Sequence, residues 1–144
     1  METTREWWYE ELPKYHPFIS VTVVSEIEQI RDEQRRIQLP ELISGFPCLV
    51  LTSEIELIAQ GYLDQQIIPH SSANDALHIA AASYYKTDFL LTWNCHHLAE
   101  AHRRRHIRLF NTSAPVFMCR KQSLDGAFRL ISCPSGNKLW GSVR

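Results

Sequence analysis

Apolar residues recur at helical spacing along much of this 144-residue chain, interrupted by apolar runs too short for a helix. The clearest passage spans residues 74–98. Ala76, Leu77, Ile79, Ala80, Ala81 and Ala82 run almost unbroken to Tyr84 and Tyr85 after a polar opening of Ser72, Asn74 and Asp75. A helix apolar on most of its circumference is a buried one. Ser72 or Asn74 can cap it, and Asp75 lies in the first turn, where the helix dipole favours a carboxylate. Past a turn at Lys86 and Thr87, the run from Asp88 through Phe89, Leu90, Leu91 and Thr92 to Trp93 predicts an interior strand of a parallel sheet. Asn94 stands at its carboxyl end, where ligands bind in open α/β sheets.

The remaining pattern alternates in the same way. Residues 3–12 predict an amphipathic helix with Thr4 as cap and Trp7, Trp8 and Leu12 as its stripe, ended by Pro13. Residues 16–21 predict a strand, and a helix follows to about Arg36 with Val23, Val24, Ile27 and Ile30 facing the core and Glu26 beside that stripe. Residues 40–47 read as a loop, 48–51 as a strand, and 52–66 as a helix weakened at Gly61 by about 1 kcal/mol relative to alanine. From Asn94 a helix continues through His102, and residues 107–110 predict a last strand. Such alternation argues an α/β fold with a parallel sheet in three layers.

Composition narrows the class. At 44% hydrophobic content the chain can bury one ordinary core, so one domain is expected. No apolar run approaches eighteen residues and no signal segment is visible, which argues against a membrane span or secretion. Cys48, Cys95, Cys119 and Cys133 lack the C-x-x-C spacing of a metal or redox site and read as reduced thiols, which favours the cytoplasm. The net charge of −1 conceals an asymmetry: residues 1–100 carry six Lys or Arg against fifteen acids, and residues 101–144 carry nine against one, Asp125. A basic end on an acidic body suits nucleic acid or an acidic partner, or is simply a solvated tail.

Asp75, His78 and the small apolar residues after them, followed by Asp88 to Asn94 and then His97 and Leu98, resemble the PIN-domain ribonucleases, most closely the VapC-type toxins of bacterial toxin–antitoxin pairs. The likeness extends over residues 4–112 and includes Glu26. It implies a PIN-like α/β/α domain over residues 1–112 and a divergent, partly disordered basic tail over 113–144. It also implies endoribonuclease chemistry dependent on Mg²⁺ or Mn²⁺, with carboxylates converging on hard cations that polarise phosphate and activate water. Glu26 and Asp75 match the second and third acids of the family and are its implied metal ligands here. Asn94 matches the fourth position, and Thr92 orients that corner. The family's first acid, an Asp ending the first and central strand, has no counterpart, because the sequence begins at Met1 in what resembles the helix after that strand. The strand that should join residues 18–21 to 89–93 is therefore expected to be missing, unless translation starts upstream of Met1, and cleavage is expected to be impaired. The alternative is a degenerate PIN module that binds RNA or an antitoxin without cleaving. Partners implied by the resemblance are RNA, a cognate antitoxin and a second copy of the chain, the last through Trp7 and Trp8, which cannot both face one core.

Other candidate groups carry less. Asp88 begins the strand that Asn94 follows, six residues or about 20 Å away, and reads as a turn residue at the far end of the sheet. His78 reads as a buried, hydrogen-bonded histidine. His102 and His106 form an i, i+4 pair without a third ligand of matching spacing, which argues against zinc. Arg103, Arg104, Arg105 and Arg108 form the strongest basic cluster, suited either to phosphate contact or to a solvated helix end.

Overall fold

The computed structural model describes residues 6–92, 101–113 and 129–132. It is a mixed α/β structure, mostly helical. A π-helical turn, Trp7–Glu11, runs into a 3₁₀ turn, Leu12–Lys14, where the expected amphipathic helix would lie. Strand β1 is Ile19–Ser20, followed directly by helix α1, Val21–Glu28. Helix α2 is Glu33–Ile43, strand β2 is Cys48–Leu49, and helix α3 is Ser53–Asp64. A short 3₁₀ turn, His70–Ser72, leads into helix α4, Ala73–Tyr84. Strand β3 is Phe89–Thr92, helix α5 is Ala101–Ser113, and strand β4 is Arg129–Ser132.

The strands form two parallel pairs. Ile19 and Ser20 of β1 lie beside Cys48 and Leu49 of β2, and the four residues of β3 lie beside the four of β4. No ladder joins one pair to the other among the described residues. The stretch beyond residue 112 thus supplies a strand to β3.

Two apolar clusters organise the helices. Ile55, Ile58, Tyr62 and Leu63 of α3 pack against Ala76, Ile79, Ala80 and Ala81 of α4, with Ile67, Ile68 and Ile107 closing the cluster. Fully burying one such isoleucine contributes roughly 1.5–3 kcal/mol. Val23 and Ile27 of α1 form a smaller cluster with Leu39 of α2, flanked by Ile19, Ile30 and Ile43. Helix α4 touches α1, so the seam between the two clusters runs along the α1–α4 contact.

Three expectations need correction. The helix expected to reach Arg36 stops at Glu28, and a new one starts at Glu33, because the Asp32 carboxylate accepts a bond from the Arg35 N–H at 3.2 Å and caps it. Pro40 lies inside α2 rather than opening a loop. Its ring crowds the preceding turn at a cost of about 3 kcal/mol, but Leu39 and Ile43 on either side of it pack on α1, and that burial holds the turn. Residues 107–110 are helical, not a strand. Their alternation is only apparent: Ile107 is buried while Leu109 is 56% exposed.

Aromatic contacts fasten the amino-terminal turns. The Trp7 indole stacks on Tyr15 at 6.5 Å, Trp8 meets Phe46 at 5.9 Å, and Tyr15 meets the edge of Phe89 at 5.4 Å. Both indoles are half-buried against their own chain. No helix among the described residues is long and apolar enough to cross a membrane.

Candidate functional site

The seam between the two clusters is polar. Glu26, in the second turn of α1, is 8% exposed, and Asp75, in the first turn of α4, is 0% exposed. Carboxylates are almost never buried unless partnered, and the partners of Glu26 come from α4. The Asn74 side-chain amide donates to Glu26 Oε1 at 2.8 Å, and His78 Nε2 lies 3.4 Å from Glu26 Oε2. With Glu26 ionised, this second contact requires the ring proton on Nε2, since a carboxylate can only accept.

The local sequence explains the arrangement. Asn74 and His78 are four apart on α4 and so lie on one face, toward α1. Asp75 adjoins that face, one residue after Asn74 and three before His78. On α1, Thr22 and Glu26 are also four apart, while Ser20 ends β1 and precedes the helix. Thr22 and Ser20 are buried, and their hydroxyl oxygens have no hydrogen-bond partner among the described residues. Glu26, Asn74 and His78 therefore meet between α1 and α4, with the buried Asp75 next to Asn74 in the first turn of α4 and the buried Ser20 and Thr22 at the junction of β1 and α1.

This donor set is entirely hard oxygen apart from His78, which suits Mg²⁺ or Mn²⁺ in kind. It falls short in number for a two-metal centre: no group of three or more His, Cys, Asp or Glu that could hold a metal ion occurs among the described residues. Glu26 and Asp75 are the two buried carboxylates at this end of α1 and α4, and Glu26 is engaged by Asn74 and His78.

Of the other residues singled out from sequence, Asn94 lies outside the described residues. Thr92 ends β3. Asp88 precedes β3 at the opposite end of that strand and is exposed. His78 is buried and hydrogen-bonded, as expected, and its partner is the candidate metal ligand itself. Arg104, Arg105 and Arg108 are exposed on α5, whereas Arg103 is half-buried. Reading the sequence alone missed Asn74 as a partner of Glu26 and assigned it only as a cap. The i, i+4 spacing of Asn74 and His78 was the available signal. Cys48 is exposed and free; the other cysteines lie outside the described residues.

No protein-family model, no curated protein and no solved structure matches this chain.

Proposed function

We propose that this chain is a PIN-type, VapC-like endoribonuclease domain with a reduced metal centre, acting on RNA and held in check by an antitoxin. The observation that carries the reading is the buried acidic seam, in which Glu26 of α1 meets the first turn of α4 beside Asp75. The parallel pairing of the strands, β1 with β2 and β3 with β4, also supports it, because the PIN sheet is parallel. In this reading Glu26 and Asp75 hold one Mg²⁺ or Mn²⁺, and Asn94 and Thr92 take the roles that the resemblance gives them. The bound ion supplies polarisation of a phosphate oxygen and a lowered pKa for water. Asn74 fixes the Glu26 carboxylate, and His78 occupies its second oxygen.

That last contact favours a second reading, a module that binds RNA or antitoxin without cleaving. Both Glu26 oxygens are already engaged within the protein, and an ion must compete with them. Two measurements separate the readings. Bound Mn²⁺ is counted by electron paramagnetic resonance for the parent chain, Glu26→Gln and Asp75→Asn, and RNA cleavage is followed with Mg²⁺, with Mn²⁺ and with a chelator. The nuclease reading expects one ion, weakened at least tenfold by either substitution, and metal-dependent cleavage abolished in Asp75→Ala. Metal binding that ignores both substitutions would remove the site. Binding without cleavage would select the second reading.

A further inference from the structure

Helix α5 carries four arginines, two histidines and no acid in thirteen residues. It is anchored by few groups: Ile107 is buried, Phe110 packs on the α3–α4 cluster and meets the Tyr62 ring at 5.1 Å, and Asn111 donates to Ser83 Oγ at 3.1 Å. Half-buried Arg103 lies on this same packed side. At 100° per residue the opposite side centres on Arg105, Leu109 and Thr112, all exposed. Arg104 and Arg108, four apart, form a row along one flank of that stripe. His102 and His106, also four apart, form a row along the other, with ring centroids 4.1 Å apart and edge to face. All four of these flanking residues are exposed.

The geometry points to this outer face of α5 as a binding face for the phosphodiester backbone of single-stranded RNA, with His102 and His106 as contact residues alongside Arg104, Arg105 and Arg108. It rests on the RNA reading of the function and extends it to two residues and one condition. Charge decides the occupant: the arginines oppose a metal cation on the histidine pair and favour an anion. Arg104 and Arg108 in one row, Arg105 beside them and the two imidazoles along the far flank spread the basic groups over two helical turns, which suits a chain of phosphates better than a single anion. Imidazole changes charge between pH 5 and 8. A phosphate beside the rings favours their charged form, so binding takes up protons and strengthens as pH falls. The elements packed against α5 carry Glu54, Glu56 and Asp64 on α3 and Asp75 and His78 on α4, with Lys86 just beyond. Of these, Asp75 and His78 are buried, His78 against Glu26 of α1, and the two histidines of α5 face outward from the packed side.

The test is fluorescence anisotropy with a labelled oligouridylate at several salt concentrations, using the full chain, His102→Gln/His106→Gln and Arg104→Ala/Arg105→Ala/Arg108→Ala. For the parent chain, affinity should rise about tenfold or more between about pH 7.5 and about pH 5.5. The double histidine variant should keep its affinity at the higher pH within about twofold and lose most of the rise, because neutral imidazole and glutamine are both uncharged. The triple arginine variant should bind weakly throughout, with a salt slope smaller by about 2, as expected when three arginine–phosphate pairs are removed from a single strand. A pH dependence that survives in the double histidine variant overturns the assignment. Binding by the parent chain that ignores pH overturns it too while leaving the RNA reading intact, whereas no binding at any pH or salt removes both. Displacement of the RNA by polyglutamate at equal charge would make this an acidic-peptide face and overturn it as well.

Discussion

At the scale of single residues, Tyr62 has the clearest energetic signature. Its ring is fully buried in the α3–α4 cluster, and its hydroxyl donates to Asn111 Oδ1 at 2.6 Å and lies 3.4 Å from Ser83 Oγ. Burial pushes the phenol up to about 12, against the opposing pull of its hydrogen bonds to Ser83 and Asn111. The folded value lies above the unfolded one, near 10, so the contribution is complete below about pH 10 and is lost as pH rises through about 12. Two units correspond to about 3 kcal/mol at most. Chemical denaturation across this window should show the parent chain losing stability more steeply than Tyr62→Phe. At neutral pH the same substitution should cost about 1–3 kcal/mol, since Asn111 loses its donor. Equal alkaline slopes would show that Tyr62 ionises freely in the folded protein. The residues of the candidate site were only half legible in the sequence. Glu26 beside an apolar stripe and Asp75 at a helix start are visible as local patterns. The bonding of Glu26 to Asn74 and His78 depends on which faces α1 and α4 present to each other, and no local period encodes that.

At the scale of elements, the α3–α5 crossing depends on an absent side chain. A Cβ added at Gly61 would run into the Phe110 ring. Glycine inside a helix costs about 1 kcal/mol relative to alanine, and overpacking costs about 1–3 kcal/mol, so the crossing outweighs the propensity. Gly61→Ala should therefore lower stability by about 1 kcal/mol in the parent chain and raise it by a similar amount once Phe110→Ala has cleared the space. Thermal or urea denaturation of the four proteins reads the sign in each background; the same sign in both would mean that the ring moves aside without cost. Helices α3 and α4 were legible because their apolar periods are long. Their ends were less so. Each closes with a left-handed residue that is not glycine, Gln66 at φ 55° and Lys86 at φ 53°, with Ile67 N–H bonded to Tyr62 O and Thr87 N–H to Ala82 O. Elsewhere, the packing of Leu39 and Ile43 overrode the breaking signal of Pro40, and one buried face overrode the alternation of residues 107–110.

At the scale of the molecule, the alternation of helices and strands foretold a mixed α/β fold, and parallel strands are present; their division into two pairs among the described residues follows from tertiary contacts that the alternation does not specify. Parallel strands are ordinarily buried inside larger sheets, and among the described residues each of these pairs, of two and of four residues, has no further ladder on its outer edges. Trp7, Trp8 and Tyr15 bridge the amino-terminal ends of the strands by ring contacts, which supply apolar burial but no ladder bonds. Under the proposed function, the same division limits catalysis. In the proposed reading, a strand between β1 and β3 ending in an Asp would add a third carboxylate to Glu26 and Asp75. The chain as it stands should therefore be a poor nuclease. One lost contributor to transition-state stabilisation costs on the order of 3 kcal/mol, roughly a hundredfold in rate. The comparison is RNA cleavage in Mg²⁺ or Mn²⁺ by this chain and by a version carrying an added amino-terminal strand that ends in Asp, with a third version ending in Asn. The Asp version should cleave about a hundredfold faster than the parent chain, and the Asn version should recover stability against urea without the rate. Equal metal-dependent cleavage by all three, abolished by Asp75→Ala, would show that Glu26 and Asp75 suffice without a third acid.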